Sequence, residues 1–208
     1  MTDPLREAAE TMRQVRANCV WSQQMTHRAL VPYLIEEAHE AIDAVEAGSA
    51  EELREELGDV LWQVLFHAAI AAESGEFDID DVARGLTEKM TRRHPHVFGD
   101  AVATTPEEVL VHWNAAKSAE KRERRSVLDG VPRSMPALAL AQKLLGRAGS
   151  VGVAAAPAPI TAPASESELG DALLALVAHA RGQGWDAERA LRERLRVLEE
   201  EVRAAEAG

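Results

Sequence analysis

The chain has 208 residues, a formal net charge of −12 with histidine neutral, 46% hydrophobic residues and only 4% aromatic ones. That length allows one or two small domains with a real core, and the acidic balance argues against nucleic acid as a ligand but leaves phosphorylated substrates open, because metal ions reverse a local field. The lone Cys19 excludes an internal disulfide and fits a reducing compartment; the start, MTDPLREAAE, is too polar for a signal peptide, and no apolar run is long enough to span a membrane, so a cytoplasmic protein without a membrane partner is expected.

Alanine and leucine dominate and β-branched alternation is scarce, which predicts an all-α chain of helices packed on helices. The first helix is expected over 5–17, with Leu5, Ala8, Met12 and Val15 at helical spacing. The segment CVWSQQMTHRALVPY follows, with Pro32 suited to the first turn of the next helix. Trp21 and His27 lie just upstream of that helix. Two readings stand for them: core and surface residues, or the wall of a pocket that stacks on or hydrogen-bonds to a base.

The next two helices carry the chemistry. LIEEAHEAIDAVEAG places Leu34, Ala38, Ala41, Ile42 and Val45 on one stripe, with Glu37 and Glu40 on its flank. Gly48-Ser49 breaks the chain, and Ser49 with Glu52 forms a capping box; so short a break predicts an antiparallel hairpin. The second helix is apolar nearly all round from Val60 to Ala72, which predicts burial. Only Gln63 and His67 interrupt it, and they continue a seam from Glu56 and Asp59. Carboxylates at the edge of a buried surface are costly unless paired or metal-bound, and no Lys or Arg shares the seam. Glu37, Glu40, Glu56 and Asp59 are therefore read as one acidic cage for a divalent cation. The competing reading is a solvated acidic face.

Asp78 caps the helix IDDVARGLTEKMTRR, from which Lys89 and Arg93 project on one side with Arg92 beside them. They either complement the helix C-terminus or grip a metal-bound polyphosphate. Thr105 to Glu108 is a capping box that opens VLVHWNAAKSAEKRERR, where Trp113 and Lys117 share a face and Glu120 to Arg125 read as solvated. Residues 126–149 return to apolar helix, and AAAPAPITAPASESE reads as a Pro/Ala linker. The last helices repeat the second acidic one: Glu168-Leu169-Gly170-Asp171 copies Glu56-Leu57-Gly58-Asp59. The copy puts Glu200 and Glu201 opposite Arg92 and Arg93 and has no EExxE helix before it. It reads as a decayed half that keeps packing and lacks chemistry.

EEAHE, fifteen residues and ELGD resemble the EExxE…ExxD signature of the all-α pyrophosphohydrolase superfamily, and KMTRRHPHVFG, HWNAAKSAEK and LDGVPRSMPALALAQKL resemble the MazG family specifically. The resemblance implies an antiparallel helical bundle of the MazG type, its four-helix core completed by dimerisation, with a catalytic domain over 1–150, a linker over 151–165 and a degenerate second repeat over 166–208. It implies Mg²⁺-dependent hydrolysis of a nucleoside triphosphate to monophosphate and pyrophosphate, with Mn²⁺ as the alternative ion. House-cleaning of ordinary or damaged nucleotides is the leading role. A narrower pyrophosphohydrolase (for phosphoribosyl-ATP or dUTP) and a non-catalytic helical regulatory protein are the alternatives. By motif, Glu37, Glu40, Glu56 and Asp59 are metal ligands, Glu36 orients or deprotonates the water, Lys89 and Arg93 grip phosphate, and Trp113 and Lys117 contact nucleotide. A homodimer or tetramer is expected. The family's CPWD..QTH reads CVWSQQMTH here, with Val20, Ser22 and Met25 in place of Pro, Asp and Gln.

Overall fold

The structure is a computed structural model that describes residues 3–120, 127–132, 134–149 and 163–194. The chain forms two compact units, Met1–Glu120 and Lys121–Gly208, and every regular element among the described residues is helical.

In the first unit, α1 (Pro4–Asn18) starts where Asp3 accepts from the Leu5 amide at 3.0 Å and Pro4 occupies the first turn, where its missing N–H costs nothing. A short α2 (Val20–Gln24) leads to α3 (Val31–Ala47) and α4 (Ala50–Glu73). The turn between α3 and α4 is tight: a Cβ on Gly48 would lie 2.7 Å from the Ala44 Cα, so only glycine lets the chain fold back this closely. Ser49 then accepts from the Glu52 amide at 3.2 Å while Glu52 accepts from the Ser49 amide at 2.6 Å, the expected capping box. α3 and α4 consequently pack along each other as a hairpin, the most extensive helix pair among the described residues.

α4 is the central rod. Its Leu65 and Phe66 close the core with Met12 of α1 and Leu30, and Leu61, Trp62, Ala69 and Ile70 pack around them. The all-round burial expected of α4 from Val60 to Ala72 is not what one chain provides: Val64 and Ala72 remain exposed. The apolar circumference exceeds the surface that α1, α3 and α5 can cover.

A buried arginine locks this end of the unit. Arg16, 8% exposed, donates to Glu73 at 2.6 and 2.8 Å and to the carbonyl oxygens of Met25 (2.9 Å) and Ser22. It ties the loop after α2 to the C-terminus of α4.

Gly75, with φ +70°, turns the chain into α5 (Ile79–Arg93), whose Asp78–Asp81 capping box fixes its start. A four-residue α6 (Pro95–Phe98) and α7 (Pro106–Ala119), opened by the Thr105–Glu108 capping box, pack on α5. The second unit holds α8 (Ala137–Gly149) against α9 (Glu166–Gly182), with a further helical stretch from Ala187. Part of the linker and the last residues of the repeat, Glu200 and Glu201 included, lie outside the described residues.

Candidate metal centre and phosphate grip

Glu37 projects from α3, and Glu56 and Asp59 project from one face of α4, a turn apart. The antiparallel hairpin brings one carboxylate oxygen of each within 4.8 Å of the others. Glu37 and Glu56 are half-buried and Asp59 is exposed. Burial, then the charges of Asp59 and Glu40, push the Glu37 carboxyl above the usual carboxylate range. Burial, then Glu40 and Asp59, push Glu56 the same way. Glu40 is thus close enough to be felt by both, although it is exposed and its oxygens stand outside the close trio.

Among the described residues no Lys, Arg or His forms an ion pair with any of the four. An all-oxygen, cation-free cluster of this size matches what a hard divalent cation requires. Glu36, one residue before Glu37, is exposed and outside the trio.

The α4 seam continues inward. Gln63, 4% exposed, donates its Nε2 to Glu37 Oε1 at 3.4 Å, while its Oε1 is buried without a partner. One turn further, His67 Nδ1 meets His27 Nδ1 at 2.7 Å, and the rings stack at 5.0 Å, 4° from parallel. Burial, then His27, holds the His67 imidazole below its usual range. His27 is therefore tied to the same helix as the acids. Trp21 packs edge-on against Tyr33 (5.7 Å) and Phe66 (6.2 Å) yet stays 48% exposed. It combines both readings: one edge against the core and one face open.

The cations gather at the ends of α5 and α7. Arg93 lies 4.9 Å over the Trp113 ring, and His94 meets the same ring at 5.3 Å. Arg92 and Arg93 both donate to Glu120. Glu120 was expected to be solvated; instead its side chain is only 19% exposed, because two guanidiniums fold over it. Lys89 and Lys117 are half-buried on α5 and α7. Gln63 and His67 lie on the seam that the sequence predicts, and their spacing of four from each other and from Asp59 is the signal that places them there, although it assigns them no role. Glu120 left no such signal, since its partners are 27 and 28 residues away.

In the second unit the copied acid does different work. Glu168 is the third residue of α9, accepts from the Ala164 amide at 2.8 Å, and has its own amide bound by Ser165 Oγ. Glu56, by contrast, is the seventh residue of α4 and free of capping duty.

The first unit thus combines an all-helical frame, a carboxylate cluster on a two-helix hairpin and a group of cations beside Trp113. Comparison with known proteins makes the family explicit. The MazG nucleotide pyrophosphohydrolase domain matches residues 25–98. A Streptomyces cacaoi protein named "Uncharacterized 26.1 kDa protein in blaB 3'region" is 48% identical over 97% of this chain and 82% of its own length. A "Nucleoside triphosphate pyrophosphohydrolase" of Escherichia coli (strain K12) is 35% identical over 98% of this chain and 86% of its own. Another of that name, from Mycobacterium tuberculosis, is 46% identical over 73% of this chain but only 46% of its own length. The chain belongs to the MazG nucleotide pyrophosphohydrolase family and is a hydrolase.

Proposed function

We propose that this chain hydrolyses nucleoside triphosphates to nucleoside monophosphate and pyrophosphate with Mg²⁺ as its ion, Mn²⁺ substituting, as a house-cleaning enzyme for ordinary or damaged nucleotides. The observation that carries it is the trio Glu37, Glu56 and Asp59, with oxygens within 4.8 Å and, among the described residues, no cation paired to them. Glu37, Glu40, Glu56 and Asp59 would hold the ion. Once bound, it supplies positive charge against the phosphate oxygens and acidifies a water.

The remaining steps belong to the chain. Lys89 and Arg93 take the polyphosphate, and Trp113 and Lys117 contact the nucleotide. Trp21 and His27 form the base side of the pocket, since Trp21 keeps an open face and His27 is anchored on His67. Glu36 orients the water or accepts its proton. Arg92 adds a second guanidinium to the grip. Exposed Val45, Leu57, Val64, Val82 and Leu86 on α3, α4 and α5 support a homodimer or tetramer that completes a four-helix core. The reading also takes 1–150 as the catalytic domain and 166–208 as a degenerate repeat, which the capping role of Glu168 supports.

Product analysis with a panel of NTPs and modified dNTPs plus MgCl₂ tests this. Monophosphate and pyrophosphate in equal amounts are expected; diphosphate with free phosphate would overturn it.

A further inference from the structure

Glu120 follows directly on α7, where a carboxylate faces the negative end of the helix dipole. A glutamate there is unfavourable unless cations hold it, and here two do. Arg93 donates Nη2 to Oε2 at 2.6 Å and Nε to the same oxygen at 3.2 Å. Arg92 donates Nη2 and Nε to Oε1 at 3.0 and 3.3 Å. Both carboxylate oxygens are engaged, and the arginines, that of Arg93 first, hold the carboxyl far below its usual range, at about 2. Two guanidinium forks closing on one small anion is the arrangement that also suits a phosphate group.

Arg93 has a second anchor in Trp113 and is 11% exposed, so Glu120 is not needed to orient it. Arg92 is 56% exposed and has no other ion pair among the described residues. What the pair gains from Glu120 is an anion of its own while no substrate is present.

We propose that Glu120 is an internal occupant of the phosphate grip, displaced by the polyphosphate of the substrate, so that it sets both substrate affinity and the release of pyrophosphate. This rests on the reading that Arg93 binds polyphosphate. One carboxylate carries a single negative charge. A nucleoside triphosphate carries several and outcompetes it, whereas the pyrophosphate left after hydrolysis has lost its tether to the nucleotide and gains less by the exchange. Glu120 thereby favours the longer polyphosphate over the short one. After hydrolysis its return helps expel pyrophosphate. No bond is made or broken in the exchange.

The test compares E120Q, E120A, R93A and a charge control, E107Q, at the opposite end of α7. The readouts are KM for a dNTP, inhibition by inorganic pyrophosphate, and calorimetric titration with tripolyphosphate, with circular dichroism as the folding check. In E120Q and E120A both KM and the pyrophosphate inhibition constant are expected to fall roughly five- to tenfold, the order set by one charge-assisted hydrogen-bond competitor. E107Q should leave them unchanged. Constants that stay level or rise in E120Q and E120A while R93A weakens binding would overturn the occupant and leave the grip standing. R93A binding tripolyphosphate as well as wild type would overturn the grip, and the inference with it.

Discussion

Gln63 and Glu37, on adjacent helices and 26 residues apart in sequence, meet through a single hydrogen bond of 3.4 Å from Nε2 to Oε1. Its donor is almost wholly buried and its acceptor belongs to the carboxylate trio. The bond links the packing of α4 to the aim of the one acid that α3 contributes to the trio. Outer partners of this kind orient ligands and tune their affinity. Gln63→Ala should therefore raise the Mn²⁺ concentration needed for half-saturation roughly tenfold. An EPR titration of Mn²⁺ reads this independently of turnover; unchanged affinity would remove Gln63 from the centre.

The crowded acids make a pH prediction. Glu37 and Glu56 are both raised, so the folded state holds their protons more tightly than the unfolded state. Stability of the metal-free protein then falls as pH climbs from the usual carboxylate range through the raised values. Glu56→Gln should flatten that decline and raise the melting temperature of EDTA-treated protein at neutral pH. It should also abolish the rise in melting temperature that MgCl₂ gives wild type and cut turnover roughly a hundredfold or more. Differential scanning fluorimetry with and without metal separates the two effects. A lower metal-free melting temperature in the variant would contradict the repulsion.

Arg16 makes a different kind of claim. It is buried and satisfies two backbone carbonyls as well as Glu73. Removing it strands those acceptors, and Arg16→Ala should cost about 3 kcal/mol by urea denaturation. The loop carrying Trp21 and His27 should loosen with it, visible as faster amide exchange over 20–28.

The stacked histidines give a second pH signature. One Nδ1 donates to the other across that contact, and a proton added to the accepting nitrogen sets two N–H groups against each other. Because the His67 value is depressed, its contribution to stability is present above the usual imidazole range and is lost as pH falls through the lowered value. As pH falls below the usual imidazole range, wild type should lose stability more steeply than His67→Asn. Parallel slopes in the two proteins would refute the coupling.

Much of this was legible because it is local. Two capping boxes, the Asp78 cap, the proline-led helix starts and the hairpin turn all follow from residues within four positions of each other. The i, i+3 spacing of Glu56 and Asp59 put them on one face in any helix, and a short turn had to return that face to α3. The exposed side of α4 was misread because an apolar circumference specifies burial without specifying by what. Glu120 was misread because nothing near it in sequence is its partner; only the packing of α5 against α7 brings the arginines over. His27 and His67 belong to the same kind, joined across forty residues by the path of the loop that Arg16 secures.

The placement of Glu168 bears on what the second unit can do. Its carboxylate is committed to the start of α9, where it accepts from the Ala164 amide while its own amide donates to Ser165. Turning it toward a cation would strip α9 of that start. A metal centre at Glu168 would demand a new helix origin as well as partner acids, and no single substitution supplies both.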